Sequence, residues 1–145
     1  MRITQATPAD APAIANILST WNASTPWMPR AHSRGAERGF ARMLVDKGWV
    51  QVARDPQRVV GFLARDASEI HALYLAPHAR GRGVGKALLD QAKAHCDHLG
   101  LYTFVANDPA RRFYLREGFI ETHRTDGQDN DEGLPDIRFE WRATP

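Results

Sequence analysis

Glu69-Ile70-His71-Ala72-Leu73-Tyr74-Leu75, then Pro77, then Arg80-Gly81-Arg82-Gly83-Val84-Gly85-Lys86-Ala87, is the stretch that decides how this chain folds. The first seven residues read as a strand rich in aliphatic and aromatic side chains, and Pro77 stops it. From Val84 onward Leu88, Leu89, Ala92 and Cys96 recur at helical spacing, which predicts a helix to about Leu99 with Gly100 as its C-terminal stop. Strand, glycine loop and helix in that order make an α/β unit. Glycines at such a junction let backbone amides turn toward a ligand, and the positive end of the helix dipole points the same way. Arg80, Arg82 and Lys86 add charge, so a pyrophosphate is the natural guest. The loop is not a Walker loop, because Ala87 stands where a hydroxyl is needed. Nor does Gly81-x-Gly83-x-Gly85 have the spacing of a dinucleotide fingerprint.

Outward from this unit, residues 1–7 read as a strand. Thr7-Pro8-Ala9-Asp10 starts a helix, with Ile14, Ile17, Leu18 and Trp21 on one apolar face. Residues 22–30, with Pro26 and Pro29, read as a loop that carries Trp27 and Met28. A second helix over residues 35–47 would turn Phe40, Met43 and Leu44 inward. Residues 49–54 and 58–65 form a strand pair about Asp55-Pro56-Gln57. Downstream come a strand at 101–105, a helix at 109–117 ended by Gly118, and strands at 119–124 and 137–142. The segment 125–136 between the last two is turn-rich and holds Asp126, Asp129, Asp131, Glu132 and Asp136. The hairpins around the central unit make the sheet mixed.

The chain has 145 residues, 43% hydrophobic and 25% charged, which predicts one globular domain over residues 1–145 and excludes disordered or fibrous classes. One cysteine, Cys96, excludes internal disulfides and paired-cysteine zinc sites, and no metal is expected. No apolar run has the length of a membrane span, and the N-terminus lacks a signal-peptide core. The expectations are no membrane partner and a cytoplasmic location. Net charge is +2, but 16 of the 19 cations are arginine. An arginine surplus points to an anionic partner, a phosphate-bearing cofactor or a nucleic acid, or reflects composition bias alone.

The residues of the glycine loop carry a resemblance. Arg80-Gly81-Arg82-Gly83-Val84-Gly85 resembles the Gln/Arg-x-x-Gly-x-Gly/Ala signature of the GNAT family, the Gcn5-related N-acetyltransferases, and Leu73-Tyr74-Leu75-Ala76-Pro77 looks like that family's fourth strand. Asn107-Asp108-Pro109 through Phe113-Tyr114-Leu115-Arg116-Glu117-Gly118-Phe119 is similar to its second motif, at matching separation. The resemblance spans essentially the whole chain, though the first third matches in layout only. It implies a mixed, mostly antiparallel sheet of six or seven strands flanked by about four helices. It also implies binding of acetyl-CoA as cosubstrate. Residues 81–86, from Gly81 through Arg82, Gly83, Val84 and Gly85 to Lys86, would hold the pyrophosphate with Arg80. Backbone groups of Leu73, Tyr74 and Leu75 would pair with the pantetheine arm like an added strand, and Asn107 and Ala110 would line the same groove.

Acetyl transfer to an amine needs a neutral nucleophile, a stabilised oxyanion and a proton for the departing thiolate. Tyr114 sits where the family keeps its thiolate-protonating tyrosine; otherwise it is a core aromatic. Glu69, eleven residues before Arg80, resembles the base of the histone-acetyltransferase branch; otherwise it is a solvated turn residue. His71 shares a face with Glu69 in an ideal strand and could act as base or relay, or simply pack. An amide near Leu75 would serve the oxyanion. Trp27, Met28, Arg30 and His32 border the acceptor in this family's layout, although Trp27 and Met28 could equally fill core. The acidic run could draw a cationic amine or form a solvated loop. The expected function is acetyl-CoA-dependent transfer to a primary amine of a small molecule or a peptide, by direct attack in a ternary complex. The chain would work as a monomer or homodimer. The alternatives are a non-catalytic CoA-binding or sensing module and, lower, a nucleic-acid binder, against which the scattered arginines and acidic C-terminal third argue.

Overall fold

A computed structural model describes residues 1–29 and 33–144. Seven strands form one sheet in the order β1-β2-β3-β4-β5-β7-β6, with β1 at Arg2–Gln5, β2 at Val50–Arg54, β3 at Val59–Asp66 and β4 at Glu69–Leu75. The last three are β5 at His98–Phe104, β6 at Ile120–Thr125 and β7 at Asp136–Arg142. Helices α1 (Ala11–Ala23) and α2 (Arg34–Asp46) precede β2, α3 (Val84–His95) joins β4 to β5, and α4 (Asp108–Arg116) follows β5. Neighbouring strands are antiparallel except β4 and β5, because the α3 crossover returns the chain in the same direction. This is the mixed α/β architecture expected from the sequence.

The helices cover both faces. On the front, Ile14, Ile17 and Leu18 of α1 and Ala41, Leu44 and Val45 of α2 pack on Val50, Val52, Phe62 and Ala72. On the back, Leu88, Leu89 and Ala92 of α3 pack with Leu63, Ile70, Leu101, Ile137 and Phe139. Strand β3, buried over six consecutive residues, reads as an unbroken apolar run for that reason. Asp10 ties α1 to β2: Arg54 Nη1 and Nη2 donate to its two oxygens at 3.0 and 2.7 Å. Burial opposes the charge on Asp10, but the bonds from Arg54 and Thr7 outweigh it and hold the carboxyl below its usual range.

Two sequence expectations need correction. In α2, Phe40 and Met43 do not face inward; both are exposed, and the buried residues are Glu37, Ala41, Leu44 and Val45. The charged Glu37 takes an inner position because Ser19 Oγ and Asn22 Nδ2 of α1 donate to its oxygens at 2.8 Å each. Helix α3 ends at His95 rather than near Leu99, and Leu99 and Gly100 belong to β5. Gly100 is therefore no helix stop. A Cβ there would stand 2.0 Å from Arg138 Nη2, so the glycine is needed to let the Arg138 guanidinium cross the sheet face.

Strands β4 and β5 meet only at the start of β4. Their parallel register is a single pair, Glu69 opposite Gly100, and Gly100 N donates to Ser68 O at 2.9 Å. Beyond it the strands part, leaving Leu73–Leu75 with a neighbour on the β3 side alone. Ala76 N bonds Val60 O. By the alternation of strand hydrogen bonds, Leu73 and Leu75 thus turn their amides and carbonyls into the opening.

Candidate active site

Two cavities occupy the opening. The second of them, of about 490 Å³, runs between the Leu73–Leu75 edge and α4, and Arg80, Gly81, Gly85, Asn107, Ala110 and Tyr114 line it. The structure thus brings together most of the residues read as cofactor-binding. Gly81 and Gly83 have φ of +73° and +80°, a region that favours glycine, and Gly83 caps α3. The first bond of α3 is from Ala87 N to Gly83 O at 3.0 Å. The amides of Val84, Gly85 and Lys86 therefore precede any intrahelical acceptor, a ready anion cradle. Four of the expected residues do not line the cavity: Arg82, Gly83, Val84 and Lys86. Val84 is buried in the back core. Lys86 Nζ donates to Asp90 at 3.1 Å and to Glu117 at 3.2 Å, and these carboxylates hold its ammonium above its usual range.

Asn107 caps α4, its Oδ1 accepting from Ala110 N at 3.2 Å. Two turns on, Tyr114 lies against Phe113, Phe119 and Phe139, at ring separations of 5.2 to 6.0 Å. Burial first, and Tyr74 second, push its phenol above the ordinary value, so it stays protonated. Tyr114 makes no hydrogen bond to a described residue. Among the described residues no buried side-chain oxygen or nitrogen lacks a partner; the Tyr114 hydroxyl is therefore the wetted tip of a covered ring.

The first cavity, of about 520 Å³, lies on the front face between α1, α2, β5 and the loop joining β6 to β7. Leu18, Phe40 and Phe104 give it apolar walls, Glu37, Asp131, Glu132 and Asp136 give it carboxylates, and Met28 and His71 also line it. Trp21, Tyr74 and Asn107 line both cavities, so these three form the wall between them. Trp21 packs edge-on against Tyr74 at 5.2 Å and Trp27 at 5.9 Å. Trp27 also meets Phe104 at 5.8 Å and lines the second cavity rather than the first. Burial, with Glu132 as the lesser cause, pushes the Tyr74 phenol up to about 12. Arg30 and His32 lie outside the described residues.

Glu69 and His71 part company. The register of β3 with β4 shifts so that Ala64 faces Ala72 and Arg65 faces Ile70, leaving His71 as the extra residue of a β-bulge. Its ring stacks on Trp49 at 5.0 Å and lines the first cavity. Glu69 lines neither cavity. Arg138 Nη1 donates to its Oε2 at 2.7 Å, and the Arg138 guanidinium sits 5.0 Å over the Tyr102 ring. Sequence reasoning missed Trp21 and Phe40 as lining residues, having read both as core, and gave Tyr74 a backbone role only. The apolar spacing of α1 and α2 signals a buried face and cannot distinguish core from cavity wall. Among the described residues, no group of three or more His, Cys, Asp or Glu is placed to hold a metal ion. No helix there is long and apolar enough to cross a membrane.

A family model described as Acetyltransferase (GNAT) family matches residues 14–119. Peptidyl-lysine N-acetyltransferase YiaC of Escherichia coli is 29% identical over 133 residues, covering 86% of this chain and 88% of its own. The solution structure of apo-form YjaB from Escherichia coli has the same fold, with a TM-score of 0.82 at 22% identity, over 99% of this chain and 100% of that one. So does yncA of Salmonella typhimurium, solved with its cofactor acetyl-CoA, with a TM-score of 0.74 at 19% identity over 100% and 95% of the two chains.

Proposed function

Because this chain belongs to the acetyltransferase (GNAT) family and is an N-acetyltransferase, we propose that it moves the acetyl group of acetyl-CoA to the amine of a lysine side chain in a peptide. Residues 1–145 would act as one catalytic domain, by direct attack within a ternary complex. The observation that carries this reading is the shared wall: two cavities of different chemistry meet at Trp21, Tyr74 and Asn107. A thioester reaching the wall from one side meets an amine arriving from the other.

The second cavity fits acetyl-CoA. The first-turn amides of α3 and Arg80 would hold its pyrophosphate, and the edge groups of Leu73 and Leu75 its pantetheine arm. The cosubstrate supplies an acetyl group activated as a thioester. The Leu75 amide is the donor for the oxyanion, and Tyr114 holds the proton for the thiolate, which its buried phenol retains well above neutral pH. His71 rather than Glu69 is the base on the acceptor side, because it lines the first cavity while Arg138 occupies Glu69. The lysine acceptor is supported by the name of YiaC and by carboxylates and aromatic walls suited to an ammonium on an alkyl stem.

The test is thiol release with lysine-containing peptides and acetyl-CoA, with mass spectrometry locating the acetyl group. The expected result is acetyl on the lysine Nζ at a rate well above the enzyme-free control. Tight binding of CoA without thiol release from any peptide or small amine would favour the non-catalytic CoA-binding module instead.

A further inference from the structure

The five carboxylates between β6 and β7 are not equivalent. Asp126 Oδ1 accepts from Gln128 N at 3.1 Å. Asp136 accepts from Thr125 Oγ1 and, at 3.3 Å, from Asn130 Nδ2. Asp129 does not reach the first cavity. Glu132 is half-buried, lines that cavity, and makes no side-chain hydrogen bond or ion pair with a described residue.

A half-buried carboxylate with no donor among the described residues has given up part of its hydration without a hydrogen bond from them in return. The compensation must come from outside, and the place it faces is the cavity. Two features say what should arrive there. The apolar and aromatic walls at Trp21, Phe40 and Phe104 favour an alkyl stem and, over a ring face, a cation. The charge of Glu132 is also felt by Tyr74 in the wall between the cavities, so the carboxylate stands near the point where acceptor and thioester meet.

We propose that Glu132 receives the ammonium group of the acceptor and so selects amines that enter the first cavity positively charged. This rests on the reading that the acceptor occupies that cavity. Glu132 acts as a specificity-determining contact; the proton is removed by another group. A neutral amine of the same shape would gain nothing from it, whereas a charged hydrogen bond to a carboxylate commonly changes affinity by about an order of magnitude.

The experiment compares the full chain with its Glu132→Gln and Glu132→Asp variants. Two peptides differ at one group: a lysine, and the same chain length ending in an aminooxy group, which is uncharged at neutral pH. Calorimetry with CoA present reads binding independently of turnover, and initial rates read KM. In the Gln variant the Kd and KM of the lysine peptide should rise about tenfold, while those of the aminooxy peptide and of acetyl-CoA stay within twofold. The Asp variant should recover part of the loss. Equal changes for both peptides, no change for either, or no binding of the lysine peptide to the unaltered protein overturns the proposal. Charge-selective binding without acetylation of either peptide would uphold it and refute the proposed transfer to peptide lysine instead.

Discussion

The two ends of β4 make opposite use of the same strand. At Glu69 the sheet is shut: Gly100 pairs across, its amide bonds Ser68 O, and Arg138 lies over the glycine to grip the carboxylate. At Leu73–Leu75 the sheet is open, and two cavities fill the space. A sheet can part in its middle only if something fixes the point of parting, because unpaired backbone groups otherwise attract a neighbour strand or are left without partners. The ionisable groups divide accordingly. Glu69 and Arg138 belong to the fixed point, Tyr114 and Tyr74 to the opening, and His71, in its bulge, sits at the boundary. A carboxylate's place along the strand says less about its role than does the partner that already holds it.

The largest expected effect is at the open end. Tyr114→Phe removes the proton proposed for the thiolate and leaves the ring packing of α4 intact, so kcat should fall about a hundredfold or more. The KM for acetyl-CoA should stay within twofold, since the cradle on α3 is untouched. The direction of the Tyr114 shift fixes the pH behaviour. A phenol raised by burial is still protonated above its usual value, so kcat should show no alkaline loss attributable to Tyr114 below pH about 10. A fall in that range in the native protein, absent from the Phe variant, would contradict this. At the boundary, His71→Asn should lower kcat about tenfold to a hundredfold with acetyl-CoA binding unchanged. A loss under twofold would remove His71 from the reaction and return the search for a base to the closed end.

The residues proposed to hold the cofactor were legible in the sequence because most of them are local. Leu73 to Lys86 is one strand, one loop and one helix start, and the second motif from Asn107 to Phe119 brings its own cap and helix. Glycine spacing and a proline stop have a direct backbone meaning there. The first cavity was legible only in pieces: Met28, His71 and the acidic run were candidates for the acceptor side, but its walls are assembled from α1, α2, β5 and the β6–β7 loop. Trp21 and Phe40 have the spacing of core residues, and only the packed structure shows that the space beside them is empty. Glu69 and His71 looked like one face of an ideal strand, and the bulge that separates their surroundings depends on pairing with β3. Gly100 read as a helix stop because the sequence after Ala92 offers no marker for an earlier end. Its actual reason is a side chain 38 residues further on.

That reason allows the smallest and most discriminating test. In Gly100→Ala the new methyl would stand 2.0 Å from Arg138 Nη2 and 2.6 Å from its Cζ, so the guanidinium must swing away and Glu69 loses its donor. The pair is partly open to solvent, with 18% and 34% of the two side chains exposed. Its loss therefore costs about 1 kcal/mol or less. Replacing glycine by alanine inside a strand returns roughly 0.5–1 kcal/mol of backbone entropy. The two nearly cancel, and the denaturant midpoint should shift little. Function is the sharper readout. If Glu69 serves only to close the strands, freeing it leaves kcat and both KM values within twofold. If it is the base, displacing the Arg138 guanidinium that holds it changes kcat severalfold or more while both KM values hold. That result would join the two ends of β4 into one catalytic strand and displace His71.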